Sequence, residues 1–247
     1  MWIFLFIQES MAQDYSDPVS EGEVIIEKST DLAGNYRDRR SRYGMIFSVN
    51  YEKYSPDNYL SLIQDEYFDV LSGGDSIPVI GGELGVKFNF AAGSLTGMIG
   101  YGGGTYKNSA NKIEKMSIKI SKVSANFALD SLMSEPWIVP YGQIGASQFD
   151  WSEESYDATN ALKEESFVTD WNLNYKIGLM FQLNWIEDTI DSNTHRNGLM
   201  SSGLQNTFLD VFYSSYSEPS QVATVAGESG DANLGSENFG VGLKLEF

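Results

Sequence analysis

Asp170-Trp171-Asn172-Leu173-Asn174-Tyr175-Lys176-Ile177-Gly178-Leu179-Met180-Phe181-Gln182-Leu183-Asn184-Trp185 sorts into two rows without a break. Trp171, Leu173, Tyr175, Ile177, Leu179, Phe181, Leu183 and Trp185 fall on one face; Asp170, Asn172, Asn174, Lys176, Gly178, Met180, Gln182 and Asn184 fall on the other. A period of two is a strand with one apolar side. An ordinary globular strand has about 5–6 residues, and this run is far longer. At roughly 3.3 Å per residue and a tilt near 40°, its two Trp would stand about 35 Å apart along a barrel axis. Indoles favour membrane–water interfaces, so the spacing predicts one Trp at each face of a bilayer.

The last ten residues repeat the pattern. Phe239, Val241, Leu243, Leu245 and Phe247 alternate with Asn238, Gly240, Gly242, Lys244 and Glu246. Further strands are predicted from Tyr43, Met45, Phe47, Val49 and Tyr51; from Leu84, Val86, Phe88 and Phe90; and from Leu95, Ile99 and Tyr101 after the tight turn Ala91-Ala92-Gly93-Ser94. Residues 137–151 and 204–216 complete the set, the second with Leu209, Val211 and Tyr213 outward. In 113–129 the parity of Ile118 and Ile120 conflicts with that of Val123, Ala125, Phe127 and Leu129, which predicts a bulge near Lys122. The total is eight strands, and a ten-stranded variant drawing on residues 59–71 stays open. Long acidic connections at 55–78, 152–166 and 217–235 fall on one side, with the short 108–112. Opposite them lie 92–94, 130–136 and an unusually long 186–203.

The polar rows carry Gly, Asn, Gln and charges of both signs: Glu83, Lys87, Asp170, Lys176, Asp210, Lys244 and Glu246. Those seven are expected to form a paired charge network in a narrow lumen, because an isolated buried charge costs several kcal/mol. Trp171, Trp185, Tyr213, Phe239 and Phe247 are expected on the lipid-facing girdle. The fold expected is all-β: an antiparallel, up-and-down transmembrane barrel of about eight strands with long extracellular loops. A soluble lipocalin-like barrel, apolar inside, is the competing architecture.

Composition sets the outer bounds. Aromatic residues make up 13% and glycines number 24, a mixture that suits strands and turns. The formal charge of -18 argues against nucleic acid, which is bound by Lys and Arg. With no Cys, disulfides and thiolate chemistry are excluded. Residues 1–12, an apolar run ending in Ser10-Met11-Ala12, read as a short signal peptide, residues 13–41 as a periplasmic leader and 42–247 as the barrel. Within the leader, Glu23-Val24-Ile25-Ile26-Glu27 is a candidate short strand, and Arg37, Arg39, Arg40 and Arg42 form a basic cluster suited to phospholipid head groups or cell-wall polymer.

Gly240-Val241-Gly242-Leu243-Lys244-Leu245-Glu246-Phe247 resembles the C-terminal signature of bacterial outer-membrane proteins, and Pro140-Tyr141-Gly142-Gln143-Ile144-Gly145-Ala146 resembles the Gly-rich strands of the small OmpA/OmpX-like barrels. The likeness spans about residues 42–247. It implies a Gram-negative outer-membrane location, contact with outer-membrane lipid and lipopolysaccharide, recognition by the barrel-assembly machinery through the last strand, and a monomer that resists detergent until heated.

Catalytic chemistry finds little footing. The lone histidine, His195, sits in the polar run Asp191–Asn197; catalysis would need a nucleophile or carboxylate held beside it, and a solvated loop histidine is expected. No catalytic residue, cofactor or metal site is expected. The acidic groups Asp57, Asp65, Glu66, Asp69 and Asp75, and likewise Glu153, Glu154, Asp157, Glu164 and Glu165, lack a calcium-loop spacing and read as solvated loop tips. The function expected is non-enzymatic: envelope structure or surface interaction through the acidic loops. A narrow channel for ions or small solutes is the first alternative, the soluble ligand-binding barrel the second.

Overall fold

A computed structural model describes residues 36–108, 113–157, 159–183, 203–218 and 232–247. The chain divides into two compact units, residues 1–31 and 32–247. The first unit, and with it the signal peptide and the 23–27 strand, lies outside the described residues, as do Trp185 and His195.

Among the described residues eleven strands and two short helices follow in order: α1 (Tyr36–Arg39), β1 (Tyr43–Tyr54), β2 (Asn58–Tyr59), α2 (Phe68–Ser72), β3 (Ile77–Phe90), β4 (Gly93–Asn108), β5 (Ile113–Ala128), β6 (Ile138–Tyr156), β7 (Leu162–Val168), β8 (Asn172–Gln182), β9 (Asn206–Tyr216), β10 (Ala232–Asn233) and β11 (Ser236–Glu246). Hydrogen bonds run β5-β4-β3-β1-β11-β9-β8-β6, and β5 pairs with β6, closing the ring. All pairings are antiparallel, so the barrel is an eight-stranded meander joined between its first and last strands, with Ile46 opposite Glu246 and Glu52 opposite Gly240. Residues 59–71 form β2 and α2 and add no barrel strand. The ten-stranded variant is excluded.

At the lower end Ala91-Ala92 joins β3 to β4, residues 129–137 join β5 to β6, and the long run 183–205 expected on this side joins β8 to β9. The upper end is uneven. β6 runs for 19 residues, and its upper half pairs with β7 from Asp150 opposite Val168 to Tyr156 opposite Leu162. Residues 152–166 are therefore mostly a hairpin, closed by a turn at 157–161, rather than the expected loop. The turn is held by Asp157, whose carboxylate accepts from the Thr159 hydroxyl at 2.6 Å and the Ala161 N–H at 3.0 Å. Those bonds, with the Lys163 ammonium, hold the carboxyl below its ordinary range.

The strand expected over 170–185 is shorter in the structure. β8 begins at Asn172, and residues 169–171 break the row between β7 and β8. Asp170 there is exposed and stands outside the lumen, which corrects its assignment to the interior. Trp171 is also half exposed, at the β8 end of the break rather than within the strand.

The bulge expected near Lys122 does not form. Registers through it are continuous, Lys122 pairing with Gly100 on one side and Ser147 on the other; the shift comes at Ile113/Lys115 instead. Ile118 and Ile120 keep the parity of the interior and are fully buried. What changes at Lys122 is the chemistry of the faces. Below it, outward residues are apolar (Val123, Ala125, Phe127) and inward ones polar (Ser124, Asn126); above it, outward Lys119 and Ser117 are polar and inward Ile118 and Ile120 apolar. β6 turns over at the same level, from outward Ile144 and Ala146 to outward Gln148 and Asp150 above inward Phe149 and Trp151. A barrel that is inside-out below this line follows the ordinary water-soluble pattern above it.

Candidate functional site

Around the inside-out part, exposed apolar side chains form a continuous outer belt, with Phe47, Leu84, Ile99, Val123, Ile144, Leu179, Val211 and Val241 representing its eight strands. On β8 it reaches from Leu173 to Leu183, about 25 Å along the axis for strands tilted near 40°. That is the height of the lipid-facing band of known transmembrane barrels. Aromatic residues edge it on both sides. At the lower edge Tyr43, Phe88, Phe90 and Phe127 run in a row with ring centroids 5.5, 6.2 and 6.1 Å apart. Trp137 stands half exposed next to Ile138, and Phe247 is exposed beside Met45. At the upper edge Tyr213 lies 5.4 Å from Phe239 and 6.5 Å from Tyr175. Of the five girdle residues read from sequence, Trp171, Tyr213, Phe239 and Phe247 occupy the outer face, and Trp185 lies outside the described residues. Trp137, directly before β6, is a girdle residue that the sequence reading did not single out.

The interior is filled, in three levels. Lowest, Lys87 bridges Asp130 at 2.7 Å and Glu246 at 2.5 Å, while Arg40 reaches Asp130 at 2.9 Å. Next come Glu83 with Lys176 at 3.1 Å and Asp210 with Lys244 at 3.5 Å. These cations also lie over rings, Lys176 over Phe212 at 4.5 Å and Lys244 over Tyr141 at 4.2 Å. Highest, Glu52 takes Lys122 at 3.2 Å and hydroxyls from Ser214 and Tyr216 at 2.8 and 2.6 Å. The five carboxylates Glu52, Glu83, Asp130, Asp210 and Glu246 thus face the five cations Arg40, Lys87, Lys122, Lys176 and Lys244. The structure brings together six of the seven predicted lumen charges, all but Asp170. It adds Arg40, Glu52, Lys122 and Asp130, the last from a turn that strand periodicity does not cover.

Arg40 therefore belongs to the interior and not to a basic surface patch. Arg42 faces out, as Arg37 does, with its guanidinium 5.3 Å from the Phe88 ring centre and 5.9 Å from that of Tyr43. There it extends the lower aromatic edge with a cation–π contact.

Above the third level lies an apolar plug. Tyr54, Ile77, Val79, Met116, Ile118, Ile120, Phe149, Trp151, Phe167 and Tyr216 pack with Tyr59, Phe68, Leu71 and Leu234 from the upper connections. α2 supplies Phe68 and Leu71, and ends at Gly73, whose φ of 67° is the left-handed conformation that glycine adopts without strain. Glu153 latches this segment down. Read from sequence as a solvated tip, it is 0% exposed, accepting from the Tyr59 hydroxyl at 2.8 Å, the Ser61 hydroxyl at 2.5 Å, the Ser155 hydroxyl at 3.0 Å and the Leu62 N–H at 3.3 Å. The Trp151 indole N–H donates to Tyr59 at 2.9 Å. Burial, and then the Glu153 charge, push the Tyr59 phenol well up. Glu153→Ala removes the acceptor for four donors, at about 1–3 kcal/mol for each donor left buried and unpaired. The expected result is rapid proteolytic nicking between residues 55 and 76 with the barrel intact; nicking no faster than in the parent would disprove the latch.

The rim around this latched segment is acidic. Asp57 is raised by burial and then by Glu237, Asp69 and Glu218. Its charged form is thus penalised in the folded state, and lowering the pH toward its raised value relieves that penalty. Backbone amide exchange in residues 57–72 is expected to slow, after correction for intrinsic rates, between neutral pH and about pH 5. Faster exchange would contradict the sign. Among the described residues no group of His, Asp or Glu side chains is arranged to hold a metal.

A closed eight-stranded meander with an apolar exterior, aromatic edges and an ion-paired core is a transmembrane β-barrel, with the architecture of the small OmpA/OmpX-like proteins. Solved structures similar to this chain include neisserial surface protein A, at 12% identity over 84% of this chain and 98% of that one, with a TM-score of 0.46. Ail, the attachment invasion locus protein of Yersinia pestis, is similar at 13% over 83% and 97%, with TM-scores of 0.40 in complex with the heparin analogue sucrose octasulfate and 0.41 in the other structure. Likenesses this distant assign neither a ligand nor a role. No family model matches the chain, and no curated protein does.

Proposed function

We propose that this chain is a non-enzymatic integral protein of the bacterial outer membrane, which fills its own lumen and presents its upper, water-soluble half outside the cell for envelope or surface interaction. The observation that supports it most is the reversal of faces at the level of Lys122: apolar belt below, polar exterior above. A lipid boundary at that level of the barrel wall would account for the reversal, and β5, β6 and β7 continue past it. From Gln148 to Tyr156, β6 adds about 25 Å of strand above the belt. β7 pairs with β6 alone among the described residues, so its outer edge presents free backbone groups of the kind that accept an added strand. Outer-membrane lipid and lipopolysaccharide are the surroundings this belt fits, as a monomer, with the barrel-assembly machinery reading β11.

A channel is the weaker reading. Eight-stranded barrels are narrow enough for side chains to fill. Here three levels of ion pairs and an aromatic plug stand in series, and a cavity of about 10 Å³ near the lower level has room for about one water. The deciding experiment is membrane fractionation of expressing cells, gels of boiled and unboiled samples, and planar-bilayer recording of the purified barrel. Outer-membrane recovery, a heat-dependent band shift and no steady conductance are expected. Recovery in the soluble fraction would overturn the membrane reading, and ohmic conductance the closed lumen.

A further inference from the structure

We propose that residues 36–40 are a built-in stopper: the Tyr36 phenol fills a slot in the lower mouth of the barrel that is chemically matched to a phenol, and Arg40 completes the charge balance there. Tyr36 is fully buried. Its hydroxyl donates to Glu246 at 2.8 Å and accepts from Lys87 at 2.9 Å, and its backbone N–H donates to Glu135 at 2.8 Å. Arg40 adds the pair with Asp130 and donates to the Phe90 carbonyl at 2.5 Å. The residues that receive the segment come from β3, β11 and the β5–β6 turn, which are separate parts of the rim.

The segment nevertheless makes no ladder pairing with any strand. Its ties are side-chain contacts and single hydrogen bonds such as Arg37 N–H to Ser134 O at 3.2 Å. It can therefore leave without unzipping the sheet. Behind it lies the small cavity lined by Lys87, Ser94, Asn126, Asp130, Lys244 and Glu246. With the stopper out, Asp130 and Glu246 would face Lys87 alone at that level. The mouth would become an open acidic vestibule.

The chain has no cysteine, so single reporters are clean. Ser94→Cys, at a site 1% exposed beside Asp130, reports on the vestibule, and Ser214→Cys, 2% exposed beside Glu52, reports on the barrel above. Each is placed in the full chain with and without Tyr36→Gly, and treated with a membrane-impermeant thiol reagent in detergent micelles. Ser94→Cys is expected to be protected with Tyr36 present and to label about tenfold or more faster in Tyr36→Gly, as a locally opened site does. Ser214→Cys should stay protected in both. Added p-cresol should restore protection at Ser94→Cys where toluene does not. Equal labelling with and without Tyr36 would overturn the stopper, as would labelling at Ser214→Cys, which would mean that the segment holds the whole barrel together. If p-cresol has no effect, or toluene matches it, the phenol slot is wrong.

Discussion

Lys87→Met is expected to destabilise the barrel by about 3–5 kcal/mol, the cost of leaving buried charge without its partner. Lys87 is 3% exposed and its two carboxylates 2% each. It is also the cation that crosses the seam. Lys87 sits on β3 and Glu246 on β11, with β1 between them, and Gly44 is the β1 residue opposite Lys87. A Cβ at Gly44 would lie 2.7 Å from the Phe247 carbonyl oxygen. The glycine leaves the inner wall bare where the ammonium passes over it. Removing Lys87 leaves Arg40 alone with Asp130 and Glu246. Adding Glu246→Gln should recover most of the loss, since the amide removes the stranded charge and still accepts from Tyr36. Urea titration of the reconstituted protein, scored by the unboiled gel band, measures both variants and their coupling. A loss below about 1 kcal/mol for Lys87→Met would put this cluster in water, as at the Lys119–Asp150 pair. That pair is nearly as short, at 2.9 Å, but 55% and 45% exposed, and Lys119→Met should cost little. Distance alone does not rank the two pairs; the surrounding dielectric does.

The alternating rows carry the fold because in a membrane barrel every spanning residue faces either lipid or lumen. Trp171 to Leu183 and Phe239 to Phe247 therefore disclose their outward faces through periodicity alone. The same rule misreads 113–129, where it assumes one polarity for the interior from end to end. Ile118 and Ile120 look like a slip of register; they mark the level where lipid gives way to water and the preference of each face inverts. Residues 152–166 mislead for a related reason. Glu153, Glu154, Glu164 and Glu165 read as a solvated loop, yet on a strand in water a charged outward row and a buried inward one are normal. Glu153 is buried on the inward side of that strand beside Trp151, in an odd-numbered row that is already visible below it in Tyr141 and Gln143. Contacts between distant segments leave no local trace. Nothing around Tyr36 announces Glu246, because their meeting depends on the barrel having closed.

That closure fixes which side chains meet lipid, and Leu179→Arg tests it most directly. Leu179 projects from the outer face of β8 between Pro140 on β6 and Val211 on β9, 43% exposed and near the middle of the belt. In water an exposed Leu→Arg change on a strand is close to neutral, within about 0.5 kcal/mol. In lipid near the midplane it costs about 2–4 kcal/mol, because the guanidinium must bring water with it or reach some 10 Å or more to a head group, about half the thickness of the apolar band. The expected result is a matching fall in unfolding free energy in liposomes and a smaller membrane-inserted yield in cells. Asn174→Ala supplies the contrast. It lies on the inner face of the same strand, 5% exposed, with an amide nitrogen that has no hydrogen-bond partner among the described residues, so its loss should be mild. Equal tolerance at the two sites would mean that the belt faces water. An Asn174→Ala loss larger than that of Leu179→Arg would mean that the faces are assigned the wrong way round. Only an apolar medium outside the barrel makes the outward site the costly one.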